Sequence, residues 1–181
     1  MRATLVLLAE QGVSQLRGTA GWEEIAAAAG LELPIDPEAR YPDDSMNAIG
    51  ERLAELMATD RSTALRAIGE HGFRYIVNAV PEVFAAEHED ATPAQHTDWV
   101  FQQLSSVVAG LFGDDADTVH LPQMAWTREG RRREFTVRSD PALSDVIEGQ
   151  IVALLDWIGV ESKFTRMQLS DTLCRFELWY D

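Results

Sequence analysis

Between Thr92 and Gly113 apolar residues recur so as to make one broad apolar face on a helix. Thr92 can cap it and Pro93 suits the first helical position, where its missing N–H costs nothing. Trp99, Val100, Leu104, Val107, Val108, Leu111 and Phe112 recur at three- and four-residue spacing, and Gly113 ends the run. Gln95, Asp98, Gln102, Gln103 and Ser105 fall mostly on the other side. The pattern predicts a helix of about five turns whose broad apolar face the rest of the chain must cover. A buried core helix, the spine of the fold, is the favoured reading on pattern alone. Whether its face also lines a ligand pocket is open at this point.

The preceding segments also read as helices. Leu5, Leu8, Ala9, Val13 and Leu16 share a face that Gly18 closes, and Trp22 to Ala29 form a short helix ended by Gly30. Pro34 and Pro37 mark an irregular link. Tyr41-Pro42-Asp43-Asp44 opens a helix carrying Met46, Ile49, Leu53, Leu56 and Met57. Asp60 or Ser62 caps the next, which carries Ala64, Leu65, Ile68, Phe73, Tyr75 and Ile76. A short segment, Pro81 to Ala86, and an acidic loop, Glu87 to Asp90, lead into the spine helix.

After Gly113 the character changes. Asp114, Asp115 and Asp117 predict a solvated turn, and Val119-His120-Leu121-Pro122 an extended connector. Gln123 to Thr127 and Glu134 to Arg138 read as strands joined at Glu129-Gly130. Asp140-Pro141 caps a helix that Gly159 stops, and Lys163 to Leu169 with Thr172 to Tyr180 form a closing strand pair. The expected class is α+β: a helical N-terminal part, then a small antiparallel sheet with one long helix, without βαβ alternation. The organisation expected is a single domain over 1–181, with N-terminal helices to residue 60 and further helices plus the α/β part over 61–181.

A chain of 181 residues can bury a substantial core. Its net charge of −15 opposes nonspecific nucleic-acid binding and docking on an anionic membrane. Lys163 is the only lysine, which reads as genomic bias more readily than as function. One cysteine, Cys174, excludes an intrachain disulfide framework and Cys-based zinc clusters, and is compatible with a reducing cytoplasm. Leu5 to Ala9 is too short for a signal-peptide core, and no apolar run approaches a spanning length. A cytoplasmic location is the expectation.

Few residues nominate chemistry. Of the four histidines, His71, His88, His96 and His120, none pairs at the spacing that puts two ligands on one helix face. His88 reads as solvated, His96 as a surface residue of the spine helix's first turn, and His71 as a hydrogen-bonded core residue. Ser139-Asp140, Ser105-Ser106 and Cys174 are weak nucleophile candidates, with no nucleophile elbow or phosphate loop in the chain. Arg128, Arg131, Arg132 and Arg133 flank the hairpin turn; a solvated loop is favoured over a docking patch for an acidic partner or a carboxylate. No enzyme is expected.

The order of motifs resembles the heme nitric-oxide/oxygen-binding (H-NOX) domain family over essentially the whole chain. The matching pieces are Met1, Glu10, Val13 and Gly18, then Trp22 with Ile25 and Gly30. Tyr41-Pro42-Asp43-Asp44, Ala67-Ile68-Gly69-Glu70 and His120-Leu121-Pro122 follow. Trp157-Ile158-Gly159, and Cys174 with Phe176 and Leu178, complete the set. The resemblance implies a helical N-terminal part and an α/β C-terminal part with heme between them, and a connector containing Pro122 that touches the heme. It also implies an axial histidine on the helix corresponding to Thr92–Phe112, near Val108 or Ser105, where this chain has no histidine from Gln102 to Phe112. The family's Tyr-x-Ser-x-Arg motif, which pairs with the propionates, has no counterpart in Phe135-Thr136-Val137-Arg138-Ser139-Asp140, although Arg138 could meet a carboxylate. Two losses point the same way.

Val108, Pro122 and Arg138 are therefore the pocket positions by resemblance. The leading expectation is a non-enzymatic sensory or regulatory domain without conventional His-ligated heme, holding another apolar ligand or a protein partner. A heme gas sensor using His96 or His71 is the runner-up. The third reading is an interaction module, such as a homodimer, whose cavity Phe73, Tyr75, Trp99 and Phe112 fill. In the family, partners are commonly a histidine kinase or a cyclic-nucleotide enzyme.

Overall fold

The computed structural model describes residues 1–85, 90–112 and 123–180, with side chains described outside 104–112 and 123–124. The helices are α1 (Ala3–Ala28), α2 (Ser45–Met57), α3 (Arg61–Ala79), α4 (Pro81–Phe84), α5 (Pro93–Phe112) and α6 (Pro141–Ile158). The strands are β1 (Gln123–Glu129), β2 (Arg132–Arg138), β3 (Lys163–Ser170) and β4 (Leu173–Trp179). They form one antiparallel sheet in the order β1-β2-β4-β3. The fold is α+β, as the pattern predicts.

Local chemistry sets most boundaries. Asp60 accepts a hydrogen bond from Thr63 N at 2.9 Å and starts α3. Asp140 does the same for α6 through Ala142 N at 2.8 Å, and Gly159, in the left-handed region, ends that helix. Gly18 leaves helical geometry inside α1 at φ 74°, so the two predicted N-terminal helices run together across a kink. At α5, Thr92 Oγ1 accepts from Gln95 N at 3.3 Å while Thr92 N donates to Gln95 Oε1 at 2.8 Å, a reciprocal cap.

Among the described residues α3 lies between α1 and α6, and most of the apolar side chains on which α5 is expected to act as the spine, Leu104 to Phe112, lie outside them. Glycine makes this possible. A Cβ on Gly69 would stand 1.9 Å from Val146 O of α6, and one on Gly149 would stand 2.0 Å from Arg66 O of α3. The two backbones touch there, which no larger residue permits. Around that contact pack Leu8, Val13, Trp22, Ile25, Ile49, Leu53, Leu65, Ile68, Leu143 and Val146.

The other side of α6 faces the sheet. Ile147, Ile151, Leu154 and Leu155 pack with Phe135, Val137, Cys174, Phe176 and Leu178, the alternate residues of β2 and β4. Arg166 of β3 is held by Asp145 and by Glu148 Oε2 at 2.7 Å, which fastens the strand to α6. The opposite sheet face is polar. There Glu134 and Glu177 stand directly across from each other, bridged by Arg132 (2.8 Å to Glu134, and also bonded to Glu177) and by Arg175. Among the described residues no helix is long and apolar enough to cross a membrane.

Candidate functional site

The described half of α5 packs against β1, β2, α4 and α6. Ala94, Thr97 and Phe101, spaced three and four apart, are buried on its inner side together with Val100. Phe101 stacks on Trp126 of β1 with centroids 5.1 Å apart and lies 5.5 Å from Phe135 of β2. Thr97 Oγ1 donates to Pro93 O at 2.9 Å, so the buried hydroxyl is satisfied within the helix.

Asp98 makes the polar tie. Its two oxygens accept from Arg133 Nε and Nη2, each at 3.0 Å, a bidentate pair. Tyr180 donates its hydroxyl to Asp98 Oδ1 at 2.8 Å, and Arg128 pairs with Oδ2 at 3.1 Å. Arg133 also donates to Tyr180 O at 2.7 Å and lies 4.0 Å over the Tyr180 ring. Burial, and then the Asp98 carboxylate, push the Tyr180 phenol far above its ordinary value, because both oppose a second negative charge. The helix bearing the expected ligand position is thus tied by a buried ion pair to the end of the sheet.

His96 sits where α4, α5 and α6 meet. Its Nε2 lies 2.8 Å from Phe84 O, and its ring is 5.8 Å from that of Trp157. A carbonyl oxygen only accepts, so Nε2 carries the proton and a neutral ring presents Nδ1 bare. Phe73 and Phe84 pack edge-to-face at 5.5 Å, and both touch Trp157, at 6.2 and 6.0 Å. Beside His96 opens a cavity of about 500 Å³ bordered by Asp90, Gln95, Asp98, Trp99, Gln102 and Arg128. The Trp99 indole N–H is buried with no hydrogen-bond partner among the described residues.

The predicted site residues are only partly brought together. Val108 is on α5, but its side chain lies outside the described residues, and Pro122, His88 and His120 lie outside them entirely. His71 is half-buried on α3, with no hydrogen bond or ring contact among the described residues. Arg138 is exposed and pairs with Gln123 of β1. It is out of phase with Phe135 and Val137, so it lies on the other face of the strand. The inward positions of that stretch are Phe135, Val137 and Ser139. Ser139 Oγ bonds to Asp140 O (3.1 Å) and Ser144 Oγ (3.0 Å). Burial raises the Cys174 thiol, which opposes a nucleophilic role. Among the described residues no three His, Cys, Asp or Glu side chains are grouped to hold a metal.

Sequence reasoning missed the Asp98–Arg133–Tyr180 tie. It set Asp98 on the polar side of the helix and Arg133 in a solvated loop, whereas Arg133 is 2% exposed. Phase along β2 was the available signal, since Arg133, Phe135 and Val137 share one face.

No protein-family model matches this chain, and no curated protein does. Solved structures do. A variant of Tt H-NOX is 15% identical with a TM-score of 0.82, the match covering 100% of this chain and 95% of that one. An oxygen-binding H-NOX domain related to soluble guanylate cyclases, in its oxygen complex, is 16% identical at 0.80, again over 100% and 95%. A mutant of T. tengcongensis H-NOX is 15% identical at 0.81, over 100% and 98%. Full-length agreement at that level makes the architecture plain: this chain has an H-NOX-like fold from end to end.

Proposed function

We propose that the chain is a non-enzymatic sensory or regulatory H-NOX-like domain that works without conventional His-ligated heme, holding another apolar ligand or a protein partner. The observation that carries this reading is the donor set on an H-NOX-like frame. The only histidine of α5 is His96, in its first turn and bonded to Phe84 O, and the rest of the helix from Gln102 to Phe112 has none. Along β2 and just after it the inward positions are Arg133, Phe135, Val137 and Ser139, and the one cation among them, Arg133, is already held by both oxygens of Asp98. These residues do not fit a histidine-ligated heme with its carboxylates paired. They fit an apolar occupant or packed side chains. A cytoplasmic location, and a histidine kinase or cyclic-nucleotide enzyme as partner, belong to the same proposal. Native mass spectrometry of the chain purified from heme-supplemented cells tests it: the expected mass is that of the polypeptide alone or with a non-heme ligand, and a stoichiometric heme adduct overturns it.

One observation favours a second reading. A metal-ligating histidine usually donates its other ring N–H to a carbonyl or carboxylate, and His96 makes that bond to Phe84 O, with Nδ1 left for a ligand. This reading is a heme gas sensor with His96 as axial ligand. Heme reconstitution of His96→Ala and His71→Ala decides it: loss of binding in His96→Ala alone supports it, and unchanged binding in both removes it.

A further inference from the structure

Strand β3 closes one side of the sheet, with β4 as its only neighbour in it. Among the described residues its backbone forms no backbone hydrogen bond except to β4, so one row of N–H and C=O groups stays open along eight residues. At the other edge α5 packs on β1 through the Phe101–Trp126 stack. An open edge of this length is a template for another strand unless proline, charge or a bulge blocks it. β3 has no proline. Its bulge comes only at the end, where Leu169 is the extra residue between the pairs Gln168–Cys174 and Ser170–Leu173.

The side chains of this edge differ from the rest of the surface. Large apolar residues are exposed at few described positions, and two of them, Met167 (50%) and Leu169 (39%), lie here. Of the four strands β3 is the one without a carboxylate, in a chain whose net charge is −15. Arg166 is committed to Asp145 and Glu148 across the sheet's inner face. Lys163, at the start of the strand, has no hydrogen bond or ion pair among the described residues. Neither has Asp171, which is exposed in the turn that follows the strand.

We propose that this edge binds a second copy of the chain, β3 pairing antiparallel with β3 about a two-fold axis at Met167. An axis perpendicular to the sheet keeps each face continuous, so outer residues meet outer residues. Met167 then faces its own counterpart, and Thr165 faces Leu169 of the second copy, which covers the exposed apolar groups. The same register brings Lys163 of each copy to Asp171 of the other, so two unpaired charges find partners twice by symmetry. A register centred on Arg166 would oppose two guanidinium groups and set Lys163 against Leu169. Charge therefore selects the Met167 register. The chain's net charge opposes self-association, and it does so least along the strand that has no acid. The pairing does not depend on what occupies the fold's interior.

Sedimentation equilibrium of the full chain tests this. A monomer–dimer equilibrium is expected, with a Kd of about 1–100 µM as suits a small interface. Met167→Asp sets two carboxylates across the axis and is expected to leave monomer alone. Lys163→Glu and Asp171→Lys are each expected to weaken the dimer roughly tenfold, and the double variant to regain most of that loss. All three positions are exposed, and far-UV circular dichroism equal to the parent's separates lost pairing from lost folding. Carbodiimide, which condenses an amine with a carboxylate, is expected to join Lys163 of one copy to Asp171 of the other, and the single lysine makes that peptide unambiguous. A chain that stays monomeric at roughly 500 µM overturns the proposal and leaves the edge to a strand of another protein. A dimer indifferent to Met167→Asp, or a double variant no tighter than the single ones, overturns it too.

Discussion

Replacing Gly69 by alanine probes the contact on which the helical core is built. The new Cβ would fall 1.9 Å from Val146 O and 2.8 Å from Val146 C. Both are helix backbone atoms, so no rotamer change relieves the clash. Reaching ordinary contact at 3.4 Å requires α3 and α6 to part by roughly 1.5 Å along that line, and a gap of about 0.5–1 Å already forfeits a quarter to a half of each dispersion contact. The side chains losing contact include Leu65, Ile68, Val146 and Ile147, all buried. Alanine returns about 1 kcal/mol of helix propensity, against an overpacking cost at or above the top of the usual range of about 1–3 kcal/mol. The expected net loss is about 2–3 kcal/mol. Gly50→Ala is the control, because its Cβ meets only the Leu65 side chain, at 2.7 Å. That side chain can yield, so the control should stay within about 1 kcal/mol of the parent. Urea unfolding followed by far-UV circular dichroism measures both. If Gly69→Ala is as stable as the parent, or less damaging than Gly50→Ala, the α3–α6 contact is not the organising one.

Asp98→Asn should cost about 3–5 kcal/mol, since it leaves the buried Arg133 guanidinium without its anion; a urea midpoint equal to the parent's would show the tie to be dispensable. Alkali should act through Tyr180. Its folded pKa is raised, so its contribution is complete below the unfolded value of about 10 and is lost as pH rises beyond it, and Tyr180→Phe should flatten that fall in stability. Cys174 should react with a thiol reagent only after denaturant is added, because it is fully buried and its thiol is raised; prompt labelling of the native chain would contradict that placement.

Much of the architecture could be read from local chemistry. Asp60, Asp140-Pro141 and Gly159 bound helices through capping, which involves residues three or four apart and so is written in short stretches. The strand pairs and the α+β class follow from alternation and turn residues in the same way. The ordered set of short motifs was enough to suggest the H-NOX architecture that the solved structures match. What could not be read depends on long-range contact. Gly69 and Gly149 look neutral in an apolar pattern, yet they decide which helix is central, because their meaning lies in the other helix's carbonyls. The first β2 residues read as a solvated arginine run, so the strand was expected to begin at Glu134, whereas it begins at Arg132. Only the partner of Arg133, thirty-five positions away at Asp98, explains a buried guanidinium there. The site was legible in identity more than in geometry. His96 could be named, but its bond to Phe84 O could not.

Whether the H-NOX-like frame of this chain works without a histidine-ligated heme is read most directly from the absorption spectrum of the full chain expressed with ample heme and purified without reconstitution. The expected spectrum is dominated by tryptophan and tyrosine, with no stoichiometric Soret band; one Soret-absorbing heme per chain would contradict a frame without heme.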